Sequence, residues 1–153
     1  MQTKIVHYQP AYAPDFERLN REWIERFFRI EESDLYTFSH IDTILRDGGQ
    51  IFFALDGTGH VVGCCALIWH EDAQCFELGK MAVTPAAQGQ HIGYALGQEA
   101  LNYARQRGAR RIVLEGNTRL VASIALYKKL GFKPIPLQGQ AYARCDILMQ
   151  IEL

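Results

Sequence analysis

The stretch VVGCCALIW, Val61 to Trp69, is apolar at every second position and at the positions between. Successive residues of a strand face opposite sides of the sheet. A strand apolar on both sides must therefore run centrally, covered above and below. That single segment demands a sheet with a layer of covering elements on each face. IFFAL (Ile51 to Leu55) and the turn DGTG precede it, so the apolar strand is the returning arm of a hairpin. Ile5 to Tyr8 alternates as a first strand, and Cys75 to Val83 follows the hairpin until Thr84-Pro85 ends it. RIVLEG (Arg111 to Gly116) is a short buried strand, and Lys133 to Pro136 can pair with Arg144 to Glu152 at the end.

Helices supply the cover. Ala13 to Phe28 carries Phe16, Leu19, Trp23 and Phe27 at helical spacing. Ser33-Asp34 reads as a cap for a second helical stretch, extended by Ser39 to Leu45 and broken by Gly48-Gly49. Ile92 to Arg107 has the apolar stripe Ile92, Ala95, Leu96, Ala100, Tyr103 and Ala104, closed by Gly108. Leu120 to Leu130 ends at Gly131, suited to a left-handed C-cap, with Phe132 as its apolar clip. Strands, then strand–helix–strand–helix, then strands again imply a mixed sheet with helices on both faces.

The composition excludes several classes of function. With 153 residues, 48% apolar and 22% charged, the chain fits one ordinary domain over 1–153. A net charge of −1 offers no field for nucleic acid or an anionic membrane surface. Arg105, Arg107, Arg110 and Arg111 cluster where a helix ends, complementing its dipole. No apolar run reaches the roughly 18 residues that span a bilayer, and MQTKIVHYQP lacks a signal-peptide core. The four cysteines have no CxxC spacing and read as buried thiols in a cytoplasmic protein. No metal site is expected; zinc held by Cys75 with His70 or Glu71 is a minor alternative.

QGQHIGYAL, Gln88 to Leu96, joins a strand to a helix start, where unpartnered N–H groups and the dipole attract anions. Gly89 and Gly93 would let the backbone approach a phosphate, and Gln88 and Gln90 add neutral donors. No Lys-Ser or Lys-Thr follows, so the turn is no P-loop, and the dinucleotide GxGxxG is absent. A plain polar connection remains the alternative for this stretch alone.

KMAVTP, the QxxxxG turn and then ALYKKLGF (Ala125 to Phe132) together resemble the GNAT N-acetyltransferase family over most of the chain, most specifically from Glu77 to Phe132. The resemblance implies a single-domain α/β (α+β) fold with a mixed, largely antiparallel central sheet and helices on both faces. The family's phosphate motif, Q/R-x-x-G-x-G/A, maps with Gln88 first and Gly93 last, and His91 in place of the first glycine. A residue with a side chain serves there if the position needs no positive φ. The implied ligand is acetyl-CoA. Its pyrophosphate would lie on the amides of Gln88, Gly89, Gln90, His91, Ile92, Gly93, Tyr94 and Ala95, and its pantetheine arm beside Met81, Ala82 and Val83.

Tyr127 matches the family's tyrosine that protonates the CoA sulfur. Glu77, eleven residues before Gln88, has the spacing of the glutamate base in the family's histone-acetylating branch. A water chain is the alternative base. In a regular strand Glu77, Gly79, Met81 and Val83 share a face, but the family often bulges here, which shifts that parity. Asn117 stands nearest the family's pantetheine-holding asparagine, and Ser123 sits where alanine is usual. LNREWIERFFRIEESD, ELGKMAV and the ending Tyr142, Arg144, Asp146, Ile147 and Met149 resemble a group of small bacterial acetyltransferases. There Trp23 and Phe28 would wall the acceptor pocket, while Glu31 and Arg144 would read substrate charge, Arg144 by forking a carboxylate. The implied activity is acetyl transfer to a primary amine of a small molecule, amino acid or peptide by direct attack. A non-catalytic acyl-CoA-binding module and a nucleotide-binding domain are the rivals. Family members are often dimers, so a homodimer stays open.

Overall fold

The computed structural model describes residues 2–153. Among them the strands are β1 (Lys4–His7), β2 (Gln50–Leu55), β3 (Val61–His70), β4 (Cys75–Val83), β5 (Arg111–Gly116), β6 (Lys133–Ile135) and β7 (Ile147–Glu152). They form one sheet in the order β1-β2-β3-β4-β5-β7-β6, with every pairing antiparallel except β4 with β5. Helices α1 (Ala13–Phe27), α2 (Glu32–Ser39) and α3 (Ile41–Arg46) precede the β2–β3 hairpin; α4 (Ile92–Gln106) and α5 (Val121–Leu130) flank β5 in sequence.

The doubly apolar strand behaves as its pattern requires. Cys64 and Ala66 of β3 lie under α1 with Phe16, Leu19 and Phe53, while Cys65 and Leu67 lie under α4 with Leu96, Ala100 and Phe76. All four β3 side chains are fully buried. Close approach of α4 needs a strand residue without a Cβ, since one on Gly63 would stand 3.2 Å from both Ile92 and Leu96.

Three details depart from the sequence-based expectation. The last hairpin is shorter, so Arg144 lies in a loop and not in a strand. That loop is pinned elsewhere: Glu115 accepts from the backbone N–H of Ala141 and Tyr142, and Asp146 accepts from Thr118. Helix α2 starts two residues earlier than a cap at Ser33 suggests. Glu31 is its N-cap, and Asp34 returns the favour three residues on by accepting the Glu31 N–H at 2.9 Å. The third departure lies in β4. Gly79 pairs with Ala66 and Ala82 with Cys64, leaving Lys80 and Met81 opposite Cys65 alone, with Lys80 at φ 52°. This is a bulge, and it reverses the parity of the strand. Glu77 and Ala82 therefore share the α1 side, while Met81 and Val83 pack toward α4.

Gly49 has a local role that can be tested. A Cβ there would stand 2.3 Å from the Leu67 carbonyl oxygen and 2.9 Å from that of Ile44. Both obstacles are backbone, so Gly49→Ala is expected to destabilise the fold by about 3 kcal/mol, at the upper end of overpacking costs. Chemical denaturation measures it.

Candidate functional site

Strands β4 and β5 are parallel neighbours for only two residues, Phe76 with Ile112 and Glu77 with Val113. Beyond Glu77 they part. The Thr84 N–H bonds the Val62 oxygen on β3 at 2.9 Å, so by antiparallel alternation the backbone groups of Val83 and Met81 face the gap and those of Ala82 face β3. A cavity of about 770 Å³ occupies the fork. Its walls include Glu77, Met81, the start of α4, Ser123, Tyr127 and, on the α1 side, Trp23 and Phe28.

The turn before α4 is built to present amides. Gly89 has φ 82° and His91 φ 62°, two left-handed residues that point their N–H groups to the outside of the bend. The first helical bond runs from the Ala95 N–H to the His91 oxygen, so the N–H groups of Ile92, Gly93 and Tyr94 have no partner within the helix. No side chain caps them. The expectation that His91 sits at negative φ is thus corrected: the position is left-handed, which explains why glycine suits it. His91 adopts it because the residue is exposed and unconstrained at its side chain. Ala95 does not line the cavity and its N–H is taken, and Gln90 does not line it either. Gln88 donates its amide to the Val83 oxygen at 3.0 Å, tying the turn to the end of β4. Gly93 lines the cavity while its Cα faces α5: a Cβ there would stand 3.0 Å from Leu126.

Tyr127 lies on α5 against Phe132 and lines the cavity; among the described residues its hydroxyl has no hydrogen-bond partner. Burial, and then the nearby Cys65, push its phenol up to about 12. It is a donor and not a base. Glu77 lines the same cavity from the other arm of the fork, and its Oε1 is 2.7 Å from the Nε2 of His70.

A model of the Acetyltransferase (GNAT) family matches residues 16–132. The chain belongs to this family. An uncharacterized N-acetyltransferase of Schizosaccharomyces pombe is 29% identical over 152 residues, covering 90% of each chain. A putative ribosomal protein bS18-alanine N-acetyltransferase of Bacillus subtilis is 31% identical over 126 residues, 79% of this chain and 82% of its own. Among solved structures, a GNAT phosphinothricin acetyltransferase from Sinorhizobium meliloti, in complex with acetyl-CoA, superposes with a TM-score of 0.83 at 22% identity, covering 100% of this chain and 89% of that one. The protein is thus an N-acetyltransferase of a family that uses acetyl-CoA, on the mixed, largely antiparallel fold its sequence implies.

In this GNAT enzyme the α1 side of the cavity is organised by ions that lie far apart in the sequence. Asp34, fully buried, accepts from Lys80 Nζ at 2.5 Å and from both ends of the Arg144 guanidinium at 2.7 and 2.9 Å. Lys80 also donates to the Tyr142 hydroxyl at 2.8 Å, and Arg144 to Glu31 at 3.2 Å. Burial alone would raise the Asp34 carboxyl; hydrogen bonds from Arg144 and Lys80 overcome it and hold the group at about 2. Arg144 therefore does not offer an empty fork to a substrate carboxylate, and Glu31 is engaged by Arg144 and the Ala143 N–H. Both hold the 136–146 loop against α2. Asn117 is likewise occupied, donating to the Arg144 oxygen at 2.7 Å and accepting from Arg119 N at 2.8 Å. Trp23 and Phe28 do form an aromatic wall, their rings at 6.4 Å, edge to face. Arg119 lies over Phe28, and among the described residues it has no carboxylate partner. Lys80 inside the apolar run LGKMAV was the one sequence signal for this cluster.

Asp34→Asn leaves two buried cations facing a neutral amide and is expected to cost about 3–5 kcal/mol. The native carboxyl titrates below its unfolded value near 3.9, so its contribution is complete above about pH 5 and is lost as pH falls through 4 toward 2. The wild-type midpoint of denaturation should decline over that window, and the variant's should decline less. For the turn, His91→Gly relieves a left-handed residue worth about 1 kcal/mol and should hold or raise stability, whereas His91→Val should lower it.

Proposed function

We propose that this enzyme moves the acetyl group of acetyl-CoA directly to a primary amine of a small molecule, amino acid or peptide, with Glu77 as base and Tyr127 as acid. The observation that carries the reading is that one cavity joins the unpartnered amides of α4, the open backbone edge of β4, Glu77 and Tyr127. The free amides of Ile92, Gly93 and Tyr94, with the left-handed turn before them, suit a pyrophosphate. Met81 and Val83 suit an extended amide-bearing chain that pairs with a strand edge. The aromatic wall of Trp23 and Phe28 would take the acceptor, and Arg119 would favour acceptors carrying an anionic group beside the amine.

Direct attack is favoured over a covalent carrier. All four cysteines are buried, and the one that lines the cavity, Cys145, has its thiol raised to about 11 by burial and by Glu115. A thiol held protonated is a poor nucleophile. For the acid, an ordinary phenol and thiol differ by about 1.5 units, and burial widens that gap to more than three. Tyr127 is thus a weaker acid than a free phenol, and it protonates the sulfur as the C–S bond breaks and not after a free thiolate has left. It donates a hydrogen bond to the sulfur as charge develops, and the transfer completes as the adduct nitrogen gives up its own proton.

Acetyl-CoA at 100 times its Kd should add about 2.7 kcal/mol of stability, which for a domain of this size is about 5–10 °C in Tm. ATP and NAD should leave Tm unchanged; an equal shift with ATP would refute the cofactor assignment. Tyr127→Phe should retain that shift while kcat falls on the order of 100-fold. Binding without amine-dependent thiol release in the wild type would instead identify an acyl-CoA-binding module.

A further inference from the structure

Glu77 stands in the wall between two cavities. One is the fork; the other, of about 340 Å³, lies between β3, α2 and α3 and is lined by Tyr36, His40, Asp47, Trp69 and His70. Glu77 lines both. Its two oxygens divide in the same way. Oε1 takes the contact with His70 at 2.7 Å, whereas Oε2 lies 3.9 Å from where a Gly79 Cβ would be, on the fork side. The Glu77 side chain is 18% exposed and that of His70 is 41% exposed, so the histidine connects a half-closed carboxylate to solvent.

We propose that His70 is a proton relay: it takes from Glu77 the proton removed from the acceptor ammonium and delivers it to water through the second cavity. This rests on the acetyl-transfer reading. The proton count requires such an exit. An ammonium and a thioester yield an amide, a thiol and one free proton per turnover. The proton lost by nitrogen as the C–N bond forms is balanced by the one the sulfur gains. The earlier proton, which frees the nitrogen lone pair, has to leave. An N–H bond of the ammonium breaks and an O–H bond forms on the fork-side oxygen of Glu77. Rotation of the carboxyl about its last torsion, a soft one, turns that O–H toward His70. While Glu77 is ionised, the Nε2–H of His70 donates to it. Once Glu77 is protonated, exchange with water moves the ring proton to Nδ1, Nε2 then accepts the Glu77 proton, and Nδ1 releases its own to water, which restores the Nε2–H tautomer.

The surroundings hold His70 above the ordinary imidazole value. The hydrogen bond with Glu77 raises His70, burial opposes this, and Glu77, Asp72 and Glu115 add to the rise through their fields. Asp47, His40 and Tyr36 face the same cavity from α2, α3 and the turn after them, with Tyr142 on the loop side. Relay needs the neutral imidazole. Turnover must therefore rise with pH as His70 loses its proton, with a midpoint above the ordinary histidine value of about 6.5.

The test compares wild type, His70→Ala and His70→Gln across pH, by thiol release at saturating acetyl-CoA and amine. Glutamine places an amide N–H where Nε2 stands, so it still donates to Glu77, but it passes no proton on. Both variants should lose the histidine ionisation from the kcat profile, and kcat at neutral pH should fall on the order of 10-fold or more. Added imidazole should restore the alanine variant, with the KM for acetyl-CoA unchanged. Unaltered kcat and profile in both variants would overturn the relay. A loss that glutamine repairs and imidazole does not would overturn it too, by showing that His70 only positions Glu77. No amine-dependent thiol release in the wild type would sink the acetyl-transfer reading itself. The His70 titration followed by NMR, expected to move down in Glu77→Gln, checks the pairing apart from turnover.

Discussion

The parting of β4 from β5 organises everything else in the molecule. Two paired residues hold the strands together at Phe76 and Glu77, and beyond them a bulge at Lys80 and Met81 turns β4 aside. A bulge with a left-handed lysine is not self-sustaining in an apolar strand. It is held because the Lys80 ammonium reaches fully buried Asp34, which is also gripped by Arg144. One carboxylate thereby links three places far apart in sequence: α2, the strand that borders the cavity, and the loop before β7. Removing either charge type would leave the other buried without a partner, so the fork and the acceptor wall stand or fall together.

The two sides of the fork use different electrostatics. On the α4 side no side chain caps the turn, which offers oriented N–H groups and the helix dipole, with the Lys129 ammonium 4.5 Å from the Tyr94 ring beside it. On the α1 side Asp34, Lys80, Arg144 and Glu31 are paired with one another, whereas Arg119 lies over Phe28 and Arg26 over Phe27. Tyr127 lies between the two, kept protonated by burial.

Much of this was legible locally. The apolar runs of β3 and β5, the stripe of α4 and the Gly131-Phe132 end of α5 are patterns within a few residues, and the structure has them within one or two residues of the expected bounds. The turn that opens α4 was legible for the same reason. Its details were not: whether His91 adopts positive φ depends on how the turn must bend to meet a helix already packed on β3 through Gly63. Arg144 was read as a free fork because its partner Asp34 is 110 residues away. His70 drew notice only as a weak zinc donor, since nothing near it in sequence announces Glu77 as its neighbour across the hairpin.

By itself the sequence determined a central two-sided strand, the helices that cover it, the glycine-bearing turn that opens α4 and the family to which they belong, because periodicity and turn chemistry act over short stretches of chain. Only the tertiary structure decided where β4 leaves the sheet, which charges cancel and which stay available, and which face of β4 Met81 and Val83 join. Those outcomes depend on groups tens of residues apart meeting in a medium where an unpaired charge is costly, and no local pattern records such a meeting.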